Sequence, residues 1–294
     1  MSKTAEALDT YLSRIDDKLS ALSEALATLA GTHSLQITLT EENAYVFCSQ
    51  PFSLRPVAQV NKVDLGLLQA VGGSKQQLLD NTMNFADGFA ANNVLLWGAK
   101  GMGKSSLVKA IHAHICESRN AARLILIEIH REDISELPTL LGQLRAHPHR
   151  FIVFCDDLSF DGNETSYKSL KAALDGGIEG RPENVLFYAT SNRRHLMPRD
   201  MMENERSTAI NPAEVIDEKV SLSDRFGLWL GFHNCSQDDY LEMITAYTAH
   251  YQIPEPPERL RARALEWATT RGARSGRVAW QFISHLAGEH KIRL

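Results

Sequence analysis

No stretch of the 294-residue sequence reaches the roughly 18 consecutive apolar residues that a membrane-spanning helix needs. We therefore expect no spanning helix and no membrane partner. An apolar leader is lacking too, because the first residues, MSKTAEALDTYL, are polar and mixed in charge, unlike a secretory signal. Cysteines are few: Cys48, Cys116, Cys155 and Cys235 lie far apart and form no C-x-x-C pair. That spacing argues against a disulfide framework and against a zinc site, and points to reduced thiols in a cytoplasmic chain. The eleven histidines contain no H-E-x-x-H. His112 and His114, two apart, fall on different faces of a helix. There is no excess of positive charge: 31 Lys and Arg stand against 36 Asp and Glu, a formal net charge of -5. Nothing in the bulk balance favours nucleic acid, and only a local patch could. We find no internal repeat and no low-complexity tract.

What is present begins with an Ala- and Leu-rich segment, residues 5–30. Its apolar positions Leu8, Leu12, Ile15, Leu19, Leu22, Leu26 and Leu29 alternate in spacing between four and three, a heptad-like seam. It predicts an N-terminal helix that packs on its own domain or associates with a second copy. Residues 35–47 predict a hairpin or two short strands. Residues 48–62, with two prolines, read as a connector. From Val63 onward, short apolar runs alternate with helical stretches. The runs Val94–Trp97, Leu124–Ile129, Phe151–Cys155, Val185–Thr190 and Leu228–Phe232 predict strands. Ser105–Ser118 and Thr165–Leu174 predict helices, the second closed by Gly176-Gly177. Alternation of this kind predicts an α/β fold: a parallel five-stranded sheet covered on both faces. Beyond Phe232 the pattern becomes helical, over 238–251, 258–270 and 276–289. The expected division is therefore 1–62, N-terminal helix and short strands; 63–233, an α/β core; and 234–294, a small all-α lid.

The residues Gly98-Ala99-Lys100-Gly101-Met102-Gly103-Lys104-Ser105 fit G-x-x-x-x-G-K-[ST] at every fixed position. The glycines let a loop curl with its N–H groups turned inward around phosphates. The helix that follows adds partial positive charge at its N-terminus. Lys104 reaches the β- and γ-phosphates and the Ser105 hydroxyl ligates Mg2+; Ser106 opens the same helix. A strand before the loop and an amphipathic helix after it complete the context, so nucleotide binding is expected. Phe151-Ile152-Val153-Phe154-Cys155-Asp156-Asp157 then places two carboxylates at a strand end. Asp156 suits a hold on Mg2+, and Asp157 suits a base that polarises water.

With these motifs the chain resembles an AAA+ ATPase, over roughly residues 63–290. Val185-Leu186-Phe187-Tyr188-Ala189-Thr190-Ser191-Asn192 is similar to the sensor-1 strand, which implies that Asn192 holds the attacking water. Leu222-Ser223-Asp224-Arg225-Phe226-Gly227 resembles the box carrying an arginine finger, which implies that Arg225 acts on a neighbouring subunit's ATP. Ser275-Gly276-Arg277 resembles sensor 2, with Arg277 preferred over Arg271 and Arg274. Val71-Gly72-Gly73 resembles the segment lining the adenine pocket. The strings FCDDLSF, ATSNRRHL and SLSDRFG resemble those of a bacterial AAA+ family of unassigned biological role. Many related enzymes carry Glu where this chain has Asp157. Plainer roles stand beside these: Asn192 could cap Arg193–Leu196, and Arg225 could pair with Asp224.

The resemblance implies a three-layer αβα P-loop NTPase that binds ATP and ADP with Mg2+ and forms a nucleotide-dependent homo-oligomer. It also implies hydrolysis coupled to remodelling or loading of an unidentified protein partner. Two alternatives stand beside that expectation. One is a nucleic-acid-associated ATPase of initiator or loader type, for which Arg193, Arg194, His195 and Arg199 offer local charge; direct nucleic-acid binding is not favoured. The other is a nucleotide-gated scaffold with little turnover. The polar segment Leu196–Val220 is expected to be a loop that orders with ATP or a partner, or a plain surface excursion.

Overall fold

The computed structural model describes residues 37–69, 72–118, 123–160, 164–178, 180–194, 196 and 222–294, together with Lys18. The heptad-like stretch and the segment 197–220 lie outside them. The fold below is that of Leu39–Leu294, one compact unit.

Strands β1 (Ala44–Ser49), β2 (Phe52–Pro56), β3 (Val94–Gly98), β4 (Leu124–Glu128), β5 (Arg150–Cys155), β6 (Val185–Ser191) and β7 (Leu228–Phe232) form one sheet. Its order is β2-β1-β4-β5-β6-β3-β7. All neighbours run parallel except β2, which pairs antiparallel with β1 at the edge. The five predicted strands occur where expected, within a residue at each end. The strand count is corrected: the sheet has seven strands, because a hairpin extends it beside β4. The hairpin begins at Ala44, inside the expected 35–47, and runs on through Pro56, over most of the predicted connector. Pro51 sits in its turn and Pro56 ends β2, positions where a missing N–H costs no ladder bond.

The central strands read as continuous apolar runs because both faces are covered. In β6 every residue is buried. Alternation sorts their side chains. Leu96, Leu124, Leu126, Ile152, Phe154, Leu186 and Tyr188 join one core cluster with Leu78, Phe85, Leu107 and Ile111 from helices α1 (Gly72–Ala86) and α2 (Lys104–Ser118). Ile125, Ile127, Phe151, Val153 and Phe187 are equally buried but outside that cluster. Helices α3 (Leu137–Arg145) and α4 (Glu164–Asp175) pack against each other. Gly176 and Gly177 follow α4 at positive φ, 77° and 53°, as predicted for its stop.

Three helices complete the chain: α5 (Gln237–His250), α6 (Pro257–Thr270) and α7 (Gly276–Glu289). Ser236 and Asp239 cap α5 reciprocally, a capping box. Pro257 starts α6, where a missing N–H is no loss. Ser275 caps α7 by accepting from the Val278 N–H. Tyr240, Met243, Ile244 and Phe282 of these helices belong to the same core cluster as β3 and α2. The lid therefore shares one continuous core with the sheet and the helix after the loop, and α5 meets the segment Leu65–Leu67.

Candidate functional site

Strand β3 anchors the loop. Val94, Leu95 and Leu96 are fully buried, each contributing roughly 1.5–3 kcal/mol of burial, with β6 and β7 bonded on either side. At Gly98 the chain leaves the sheet with φ 126°. A Cβ at Gly98 would lie 2.0 Å from the Phe232 carbonyl oxygen, so no other residue fits. Gly101 and Gly103 follow at φ 73° and 83°, and α2 begins at Lys104. The sequence motif thus becomes the curled loop its glycines predicted.

Lys104 is buried, and its Nζ donates to the carbonyls of Gly98 and Ala99, both at 2.9 Å, and to Asn192 Oδ1 at 3.2 Å. Burial pushes its pKa below the usual lysine value; Asp156 and Asp157 oppose that shift, while Lys100 and Arg277 add to it. The two carboxylates lie beside it. Ser105 Oγ donates to Asp156 Oδ1 at 2.5 Å. Thr190 Oγ1 donates to the same oxygen at 2.5 Å. The Asp157 N–H donates to Thr190 Oγ1 at 2.8 Å and Asn192 Nδ2 to Asp157 Oδ1 at 2.5 Å. Lys104, Ser105, Asp156, Asp157 and Asn192, drawn from three separate stretches, form one continuous network.

A cavity of about 570 Å³ lies over this network, lined by Lys100 through Ser106, Asp156, Asp157, Asn192 and Arg277. Leu67 and Leu68 from the segment before α1, and Met243, Tyr247, Tyr251 and Trp280 from the lid, add apolar walls. Trp280 packs edge-on against Tyr247 at 5.4 Å and against Tyr251 at 6.0 Å. A cavity that sets convergent polar groups against an apolar wall is the form of a small-molecule site. The lid meets the loop directly, because the Arg277 N–H donates to the Gly101 carbonyl at 3.0 Å. A Cβ on Gly101 would sit 3.0 Å from Ser275 Oγ.

The remaining predicted residues are placed as follows. Val71 lies outside the described residues. Gly72 begins α1 and does not line the cavity. Of the three arginines considered for sensor 2, Arg277 lines the cavity, Arg274 does not, and Arg271 lies 3.8 Å over the Trp267 ring. Arg225 is away from the cavity, with its Nε donating to Asp175 Oδ1 at 2.5 Å. Thr190 and the aromatic lid residues had been given no role. Thr190 was within reach: it shares a strand face with Asn192 two residues on.

The donor set fits a hard cation with its nucleotide. Ser105 and Asp156 supply oxygen ligands within 2.5 Å of each other. Among the described residues no cluster of three or more His, Cys, Asp or Glu could hold a metal alone. That is the pattern for Mg2+, which takes one or two protein oxygens and shares the rest with phosphates.

Comparison with known proteins bears on the family and the fold. The sequence profile of the family described as "Protein of unknown function (DUF815)" matches residues 40–290. No curated protein sequence matches the chain. Among solved structures, the chain is similar to the Aeropyrum pernix ORC1 protein in complex with DNA, with 12% identity and a TM-score of 0.53 over 79% of this chain and 66% of that one. It is also similar to the Thermotoga maritima RuvB Holliday junction branch migration motor (15%, TM-score 0.41, 74% and 72%). A third similarity is to the FIGL-1 AAA domain in complex with ADP (14%, TM-score 0.44, 80% and 86%). The likeness to ORC1 shows the fold, an α/β domain built on a mostly parallel sheet.

Proposed function

The chain belongs to the DUF815 family, and from that premise we propose that it is a Mg2+-dependent ATPase coupling nucleotide state to remodelling or loading of a macromolecular partner. The single observation that carries this reading is the continuous network at the loop, from Ser105 through Asp156, Thr190, Asp157 and Asn192 to Lys104. Binding alone needs the cradle and the lysine. A carboxylate held by a side-chain amide beside them is what hydrolysis adds.

The roles follow from the chemistry of each group. The loop N–H groups that face the cavity, from Lys100 to Ser106, bind phosphate oxygens, while the Ala99 N–H stays on the Phe232 carbonyl. Lys104 exchanges its carbonyl acceptors for β- and γ-phosphate oxygens, a trade of neutral partners for charged ones. Ser105 and Asp156 would hold Mg2+, which when bound neutralises charge on those oxygens. The Ser105 hydroxyl proton is directed at Asp156, which leaves its oxygen lone pairs for the cation. Asp157 accepts a proton from the attacking water while Asn192 orients that water. The aromatic walls Tyr247, Tyr251 and Trp280 receive the base, and Arg277 reads the γ-phosphate from the lid. Arg225 completes the charge balance on a second copy of this chain, so the active form is a homo-oligomer.

The test is turnover. Purified protein should release phosphate from ATP only with Mg2+, and Lys104→Ala should abolish it while the circular dichroism spectrum is kept. Wild-type protein that binds ATP without turning it over would refute the hydrolytic reading.

A further inference from the structure

We infer that Thr190 is a positioning residue, its hydroxyl setting both carboxylates of the site at once. The inference rests on the ATPase reading above and gives a role to the one member of its network that this reading leaves without one.

Asp157 is a non-glycine residue in the left-handed region, at φ 52°. Such a conformation persists only where its surroundings hold it. Thr190 holds it from two sides. Its Oγ1 accepts from the Asp157 N–H at 2.8 Å, and its carbonyl accepts from the Leu158 N–H at 2.7 Å. Regular β5–β6 pairing runs to Cys155 opposite Ala189, so the clamp begins where the ladder stops. The same hydroxyl donates to Asp156 Oδ1 at 2.5 Å.

One oxygen thus accepts from the backbone of the second carboxylate residue and donates to the side chain of the first. Ser105 Oγ and, at 3.2 Å, the Asp157 N–H also converge on Asp156 Oδ1. That leaves Oδ2 as the oxygen for a cation. Thr190 is 2% exposed at the cavity wall, so its hydroxyl is spent on the two aspartates rather than on bulk water. Valine has the shape of threonine without either bond, and serine keeps both bonds without the methyl.

The experiment measures binding of a fluorescent ADP analogue against Mg2+ concentration, and ATP turnover, for wild type, Thr190→Val and Thr190→Ser. For Thr190→Val we expect unchanged affinity without Mg2+. The Mg2+ half-saturation should rise, and kcat fall, on the order of tenfold or more, the size of a lost hydrogen bond to a charged group; KM should move little. Thr190→Ser should restore most of both. Should Thr190→Val not fold, Thr190→Ala is read in its place. Thr190→Val with wild-type Mg2+ dependence and kcat overturns the inference, as does Thr190→Ser impaired as deeply as Thr190→Val. If the wild type binds Mg2+ and nucleotide without turnover, the ATPase reading fails, and the Mg2+ titration still decides Thr190.

Discussion

His112, on the helix that follows the P-loop, makes the fold itself sensitive to acid. Its side chain is buried and its Nε2 bonds the Leu124 carbonyl of β4 at 3.2 Å. Burial lowers its pKa from 6.5 to about 4; backbone hydrogen bonds from Leu124 and Asn43 oppose the shift and Lys62 adds to it. The folded chain therefore takes up this proton less readily than the unfolded chain, so stability rises with pH. The contribution is fully present above the unfolded value near 6.5 and is lost as pH falls toward 4. Integrated over that window, a shift of this size amounts to about 2 kcal/mol between pH 7 and pH 5, and about 3 kcal/mol below pH 4. Carboxylates titrate in the same range, so the measurement is a difference. Urea unfolding of wild type and His112→Gln is followed from pH 7 to pH 5; glutamine keeps an N–H donor for Leu124 and cannot charge. The wild type should lose about 2 kcal/mol more than the variant over that range. Parallel stability curves for the two proteins would refute the reasoning.

Three further outcomes are expected. Arg225→Ala should bind ATP normally and hydrolyse it about 10³–10⁵-fold more slowly, and mixing it with Lys104→Ala should recover part of the turnover; normal turnover by Arg225→Ala alone would exclude a finger acting between copies. Gly98→Ala, with its Cβ 2.0 Å from the Phe232 carbonyl oxygen at φ 126°, should lower stability by at least ~2 kcal/mol and abolish nucleotide binding by calorimetry. Ser236→Ala removes the α5 cap and should cost about 1 kcal/mol, read as a lower melting temperature with P-loop affinity retained.

Legibility followed locality. Strands β3 to β6 could be read because each is a contiguous apolar run largely buried on both faces; β7, at the sheet edge and partly exposed, is legible as an apolar run alone. The hairpin was expected too early in the chain: β2 is mostly exposed or half-exposed, and the hairpin's place is fixed by β1 pairing with β4 some 80 residues away. Helix α3 was legible and not named, since Leu137, Leu140, Leu141 and Leu144 are all buried at helical spacing. In the site, the P-loop was visible because its chemistry is contiguous. Thr190 was legible only as a neighbour of Asn192 on one strand face, because its role depends on where β5 ends against β6. The aromatic walls depend likewise on how the lid docks. Arg225 drew attention to its neighbour Asp224, whereas its Nε bonds Asp175, which chain folding brings near.

The lid is mounted on the phosphate loop at two points. Its root, the end of β7, accepts the Ala99 N–H through the Phe232 carbonyl at 2.8 Å. Its last helix returns to the loop two residues further on, where the Arg277 N–H meets the Gly101 carbonyl. Both bonds fall on one tripeptide, residues 99–101, so a displacement of the lid would be felt first as a pull on the loop's own peptides.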